Sequence, residues 1–121
     1  MSNSVLKAIA ERYSCRGYTE QVPTDEQLKA IADAAVMAPS AMNLQPWKII
    51  VIKDRDILND LESDAIEYLA NLENKAMYER IMSRGGKVFY NAPVMFLIPI
   101  KEDGELDCGI GCQNITLAAH S

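Results

Sequence analysis

The run Trp47-Lys48-Ile49-Ile50-Val51-Ile52-Lys53 constrains this chain more than any other stretch, because β-branched residues follow one another there instead of alternating with polar ones. A strand with one face in water alternates, whereas a strand that is apolar on both sides must be covered on both sides. The run therefore predicts a central strand in a sheet flanked by helices, an α/β (α+β) class. Val94-Met95-Phe96-Leu97-Ile98 predicts a second buried strand, with Pro99 confining its end to an edge or a bulge.

The segments around these strands carry helical spacing. Val5, Leu6, Ile9 and Ala10 follow Ser4 as a short first helix ending near Arg12 to Arg16. Thr24 stands three residues before Gln27, a capping box, with Asp25 and Glu26 at the positive helix end. Leu28, Ile31, Ala32 and Ala35 then line one face until Pro39 stops the helix. After Asp54, Leu58, Leu61, Ala65, Tyr68, Leu69, Leu72 and Ala76 predict one face of a long helix that Gly85-Gly86 ends. Its other face carries Asp60, Glu62, Asp64 and Glu67, read as a solvated face and not as a metal site. Lys101 to Gly104 is a turn, and helical spacing resumes from Leu106 to Ala119, reaching the last residue, Ser121, with no terminating signal.

Composition narrows the function classes. The 121 residues suffice for one core and not for two. Twelve basic against 17 acidic residues leave a net charge of −5 and no basic stripe, so nucleic acid is not expected as a partner. The apolar runs fall short of the ~20 residues a membrane helix needs, and no basic-then-apolar leader is visible. Three cysteines, Cys15, Cys108 and Cys112, fit no disulfide framework, which agrees with a reducing, cytoplasmic location.

Two polar clusters carry the chemistry. In Arg12-Tyr13-Ser14-Cys15-Arg16 two guanidiniums and a hydroxyl fall close together. Each guanidinium offers a planar fork of donors and keeps its charge, so the group suits a dianionic phosphate; the plainer alternative is a basic surface turn. The second cluster is Ala38-Pro39-Ser40-Ala41-Met42-Asn43-Leu44-Gln45-Pro46-Trp47. Two prolines fix the backbone around small and amide side chains, so Ser40, Asn43 and Gln45 can face a planar, imide-bearing ligand at little ordering cost; the alternative is a plain helix-to-strand loop. No Ser/His/Asp or Cys/His constellation for nucleophilic catalysis is present.

Taken together and in this order, Arg-x-Ser-x-Arg followed by Pro-Ser-x-x-Asn-x-Gln-Pro-Trp resembles the nitroreductase family of FMN-dependent oxidoreductases, and the resemblance runs from about Arg12 to the last residue. Asn91-Ala92-Pro93 before the second strand and Asp107 through Gln113 to Ala119 are similar to that family as well. The resemblance implies a nitroreductase-like sheet flanked by helices, with residues 1–121 as the N-terminal part of a single such domain, incomplete at its C-terminal end. It implies FMN at a homodimer interface, NAD(P)H as co-substrate, and a small acceptor of nitroaromatic, quinone or enone type.

By the same resemblance Arg12, Tyr13, Ser14 and Arg16 belong to the phosphate, ribityl and pyrimidine side of the cofactor, with Arg16 as its electrostatic stabiliser. Pro39, Ser40, Ala41, Met42, Asn43 and Gln45 belong to the loop that closes over the ring from the other subunit. No catalytic side chain and no metal are expected. The alternative is a truncated, non-catalytic fragment that self-associates or binds a partner and takes FMN weakly or not at all. Among the single residues, Cys108, Cys112 and His120 read as helix packing, since zinc wants four ligands. Cys15 reads as a small residue beside two arginines, and the methionines read as core filling, with Met42 also placed to lie against a ring.

Overall fold

A computed structural model describes residues 3–121 as two compact units. The first holds the described residues up to Ser14, with Pro23–Val51 and Phe96–Ser121; the second holds Cys15–Val22 and Ile52–Met95.

In the first unit, α1 (Ser4–Glu11) is capped by Asn3, whose side chain accepts from the Val5 and Leu6 N–H groups. Its expected apolar face, with Val5, Leu6 and Ile9, stays exposed in this chain. Helix α2 (Asp25–Val36) starts as its sequence predicts: the Gln27 N–H donates to Thr24 Oγ1 at 3.2 Å, and the Thr24 N–H to Gln27 Oε1 at 2.9 Å. The helix stops at Val36, ahead of Pro39.

Helix α5 (Glu105–His120) packs on α2, burying Leu28, Ala35, Ala38 and Cys108. A Cβ on Gly111 would sit 3.4 Å from the Ala35 carbonyl oxygen, so small residues let the two backbones approach. Asn114 Nδ2 donates to the Ala34 carbonyl at 3.0 Å, satisfying one of the acceptors that the last turn of a helix leaves without a partner.

The second unit contains α3 (Arg55–Asn71) and α4 (Ala76–Met82). Asp54 caps α3 through the Asp56 and Ile57 N–H groups at 2.9 and 3.1 Å. The single long helix expected up to Gly85 is interrupted between Asn71 and Ala76, where Asn74 Oδ1 accepts from the Ala76 N–H and restarts the chain as α4. Gly85 (φ 101°) and Gly86 (φ 68°) then end α4: their N–H groups donate to Met82 and Ile81 carbonyls, a closure that needs left-handed backbone.

Two expectations about α3 are corrected. Tyr68, placed on the inner face by periodicity, is 67% exposed. Glu62, placed on the solvated face, is 8% exposed, because its carboxylate receives two backbone N–H groups, those of Val88 and Phe89.

Strand β1 (Ile50–Ile52) pairs with β2 (Met95–Leu97) in a two-stranded sheet. Trp47 and Ile100 continue the pairing as an antiparallel bridge, with the Lys48 N–H donating to the Pro99 carbonyl and the Lys101 N–H to the Pro46 carbonyl. The run predicted as a central strand covered on both faces is thus shorter than seven residues, has one strand neighbour and is half-buried throughout β1. Pro99 contributes its carbonyl alone, as a residue without an N–H must. No helix among the described residues is long and apolar enough to cross a membrane.

Two measurements test this packing. Asn114→Ala leaves the Ala34 carbonyl without its donor and lowers stability by about 1–3 kcal/mol in urea denaturation. The Cys108 thiol is pushed up from its ordinary value, first by burial and then by the negative charges of Cys112, Asp107 and Glu105. Ionisation therefore favours the unfolded chain, so this contribution is intact below the ordinary thiol pKa and is lost as pH rises from there through the raised folded-state value. Stability is expected to fall above about pH 9, and Cys108→Ala flattens that fall in a pH series of melting curves.

Candidate functional site

The loop after α2 is built from unusual backbone. Ser40 is extended, Ala41–Asn43 form one turn of 3-10 helix, and Met42 (φ 49°), Asn43 (φ 55°) and Gln45 (φ 48°) are left-handed. Asparagine tolerates that region through its short polar side chain, whereas methionine and glutamine do so at a cost of about 1–3 kcal/mol unless the surroundings impose it.

Here the surroundings do impose it. The Ala41 N–H donates to Asp107 Oδ2 in the first turn of α5 at 3.1 Å, and the Gln45 N–H donates to Ser40 Oγ at 3.0 Å. The Asn43 and Leu44 N–H groups close the turn onto the Ser40 and Ala41 carbonyls. Pro46 is buried where the loop meets β1, held through its carbonyl by the Lys101 N–H and packed on Gly104, where an added Cβ would stand 2.7 Å from Pro46 Cβ.

The consequence is a preformed apolar surface: Met42 is 87% and Leu44 63% exposed. Of the loop residues expected to face a ligand, Ser40 has its oxygen engaged within the loop, and Gln45 Nε2 reaches the Asn43 carbonyl at 3.5 Å. Pro39, Ala41, Met42 and Asn43 are solvent-exposed.

Arg12 ends α1, half-buried, its N–H donating to the Ala8 carbonyl at 3.0 Å. Tyr13 is exposed and meets His120 edge-on, with ring centroids 6.5 Å apart, which places the only histidine against a predicted site residue. Ser14 follows on the surface.

In the second unit, Cys15 Sγ donates to the Gly17 carbonyl and the Tyr18 hydroxyl to the Cys15 carbonyl. The Arg16 guanidinium lies 6.0 Å from the centre of the Tyr90 ring, within reach of a cation–π interaction. The Tyr18 phenol is held above its ordinary value by partial burial and by Cys15, with Arg16 opposing.

Asp107, Gly104 and Glu62 shape this geometry from positions the sequence places in other roles, and Tyr90 from one to which the sequence gives no role. Asp107 acts on a loop 66 residues away, a pairing no local pattern encodes. Gly104 has one legible signal, its place at the end of a turn, but nothing there points to Pro46.

Comparison with known proteins follows the same lines. Residues 9–121 match the model described as Nitroreductase family. The chain is 42% identical over 116 residues to an Archaeoglobus fulgidus protein whose assigned name pairs NADH dehydrogenase with NAD(P)H nitroreductase, covering 94% of this chain and 60% of that one. It superposes with a TM-score of 0.92 and 48% identity on a nitroreductase from Desulfitobacterium hafniense DCB-2 crystallised with bound FMN, covering 99% of this chain and 66% of that one. A Bacteroides fragilis nitroreductase with bound FMN gives 0.89 at 27% identity, covering 98% and 65%. The chain spans somewhat more than half the length of the curated relatives it matches, 56% and 60%.

Gly104→Ala tests the hold on the loop. Forcing Pro46 away overpacks the contact, and a loss of about 1–3 kcal/mol is expected; unchanged stability in thermal denaturation rejects the contact.

Proposed function

Because this chain belongs to the nitroreductase family, we propose that it is the N-terminal part of a single domain that binds FMN and passes two electrons from NAD(P)H to a small organic acceptor of nitroaromatic, quinone or enone type, in the cytoplasm and as a homodimer. The observation that carries the reading is the Pro39–Gln45 loop. Left-handed backbone at Met42, Asn43 and Gln45 is sustained by Asp107 and Ser40 in order to hold an exposed apolar side chain outward, the arrangement a flat aromatic ligand needs on one face.

By residue type, the Arg12–Arg16 segment suits the phosphate and polar edge of an FMN. Arg12, Ser14 and Arg16 supply charged and neutral donors suited to a phosphate monoester and to the polar edge of a flavin, with Tyr13 beside them. FMN, when bound, supplies the hydride chemistry. In such a homodimer Arg16 would supply a fixed positive charge to the polar edge of the flavin, and the Met42 loop of the other subunit would exclude water from one face. No side chain of this set is asked to act as a nucleophile or base.

A second reading has its own observation: the exposed apolar face of α1 and the exposed Met37 and Leu106 suit a chain that self-associates with little or no FMN. The visible absorption spectrum of the purified chain, with its mass confirmed in the same sample, separates the two. A flavin band near one FMN per chain supports the first, and a folded, colourless, associating chain supports the second. Arg12→Ala is expected to weaken FMN binding by about 1.5–3 kcal/mol, the value of a hydrogen bond to a charged group; unchanged affinity in a fluorescence titration removes Arg12 from the site.

A further inference from the structure

Glu62 is the one buried charged side chain among the described residues, and its position follows from what it grips. Its carboxylate accepts from two successive backbone N–H groups, Val88 and, at 2.9 Å, Phe89. The next two residues, Tyr90 (φ 55°) and Asn91 (φ 56°), are both left-handed, and the Ala92 N–H closes the turn onto the Phe89 carbonyl at 3.0 Å. Arg55, seven residues before Glu62 and hence two turns away on one face of α3, donates through Nη1 to the Ala92 carbonyl at 3.5 Å. The helix therefore holds the Val88–Ala92 turn at both ends. Consecutive left-handed residues with side chains persist only where the surroundings over-determine them, and these two contacts do so.

That turn presents the Tyr90 ring, and the Arg16 guanidinium stands 6.0 Å from its centre. We infer that Glu62 is a positioning residue for Arg16, acting through the Val88–Tyr90 turn: the carboxylate sets the backbone, the backbone sets the ring, and the ring sets where the cation rests. The functional half of this inference rests on the reading of Arg16 as a flavin-binding residue. In that case a carboxylate that never touches the cofactor governs the placement of the charge that does.

The test uses the whole 121-residue chain without FMN and reads the Arg16 Nε–Hε resonance by NMR, whose position includes a ring-current displacement from Tyr90. Tyr90→Leu removes the ring, Tyr90→Phe keeps it, Glu62→Gln replaces one acceptor by a donor, and Glu62→Asp keeps the charge but shortens its reach. The resonance is expected to lose that displacement in Tyr90→Leu and in whichever Glu62 variants fold, and to stay in place in Tyr90→Phe. An Arg16 signal unmoved in Tyr90→Leu, or unmoved in a folded Glu62 variant, overturns the inference. Titrating FMN into the same samples tests the functional half: affinity falls about two- to fivefold in Tyr90→Leu and Glu62→Gln, the value of an exposed cation–π contact, and falls no further when either is combined with Arg16→Gln. An Arg16 signal that responds as stated, with FMN affinity indifferent to Arg16→Gln, overturns the flavin role of Arg16 and with it the functional half alone.

Discussion

The first unit depends on how closely α5 can approach the end of α2. Gly111 brings the helix backbone to the Ala35 carbonyl, Cys108 fills the contact without bulk, and Asn114 supplies a donor to the Ala34 carbonyl that α2 cannot satisfy internally. Given that approach, the first turn of α5 lies where Asp107 can take the Ala41 N–H, and Gly104 lies where Pro46 needs room. The strained loop between α2 and β1 is a consequence of this packing, not an independent element.

Acidic side chains recur as organisers of backbone. Asp54 caps α3, Asp107 holds the Ala41 turn and Glu62 holds the Val88–Phe89 turn, each by accepting N–H groups that ordinary secondary structure leaves over. A carboxylate hydrogen bond to backbone is stronger than a neutral one, so a single residue can define a turn. Part of the chain's acidic excess is thus architectural. Two i, i+4 pairs, Lys7–Glu11 and Lys29–Asp33, lie on exposed helix surfaces and contribute little by comparison.

Local rules explain where sequence reading succeeded. The capping box at Thr24, the stop before Pro39, the turn at Lys101–Gly104 and the glycine closure after Met82 each depend on residues within one helical turn of each other, so a short window contains the whole cause. Periodicity failed where a distant partner intervened. Glu62 has the spacing of a solvent-facing acid, and only the return of residues 88 and 89 to α3 buries it. The break at Leu72 to Lys75 carries no glycine or proline, and the apolar spacing runs through it unaltered.

The candidate site divides in the same way. The amino-acid sequence by itself determined the chemistry on offer: two guanidiniums and a hydroxyl after α1, and small and amide side chains between two prolines after α2, since residue type and order need no fold to be read. Tertiary structure alone decided what that chemistry is attached to. The Ala41 N–H beside left-handed Met42 is held by Asp107 from 66 residues away, and the ring beside Arg16 is Tyr90 because Glu62 and Arg55 hold its turn. A hydrogen bond between distant residues costs the chain loop entropy that only collective packing offsets, and no pattern along the chain records which pairs that packing will choose.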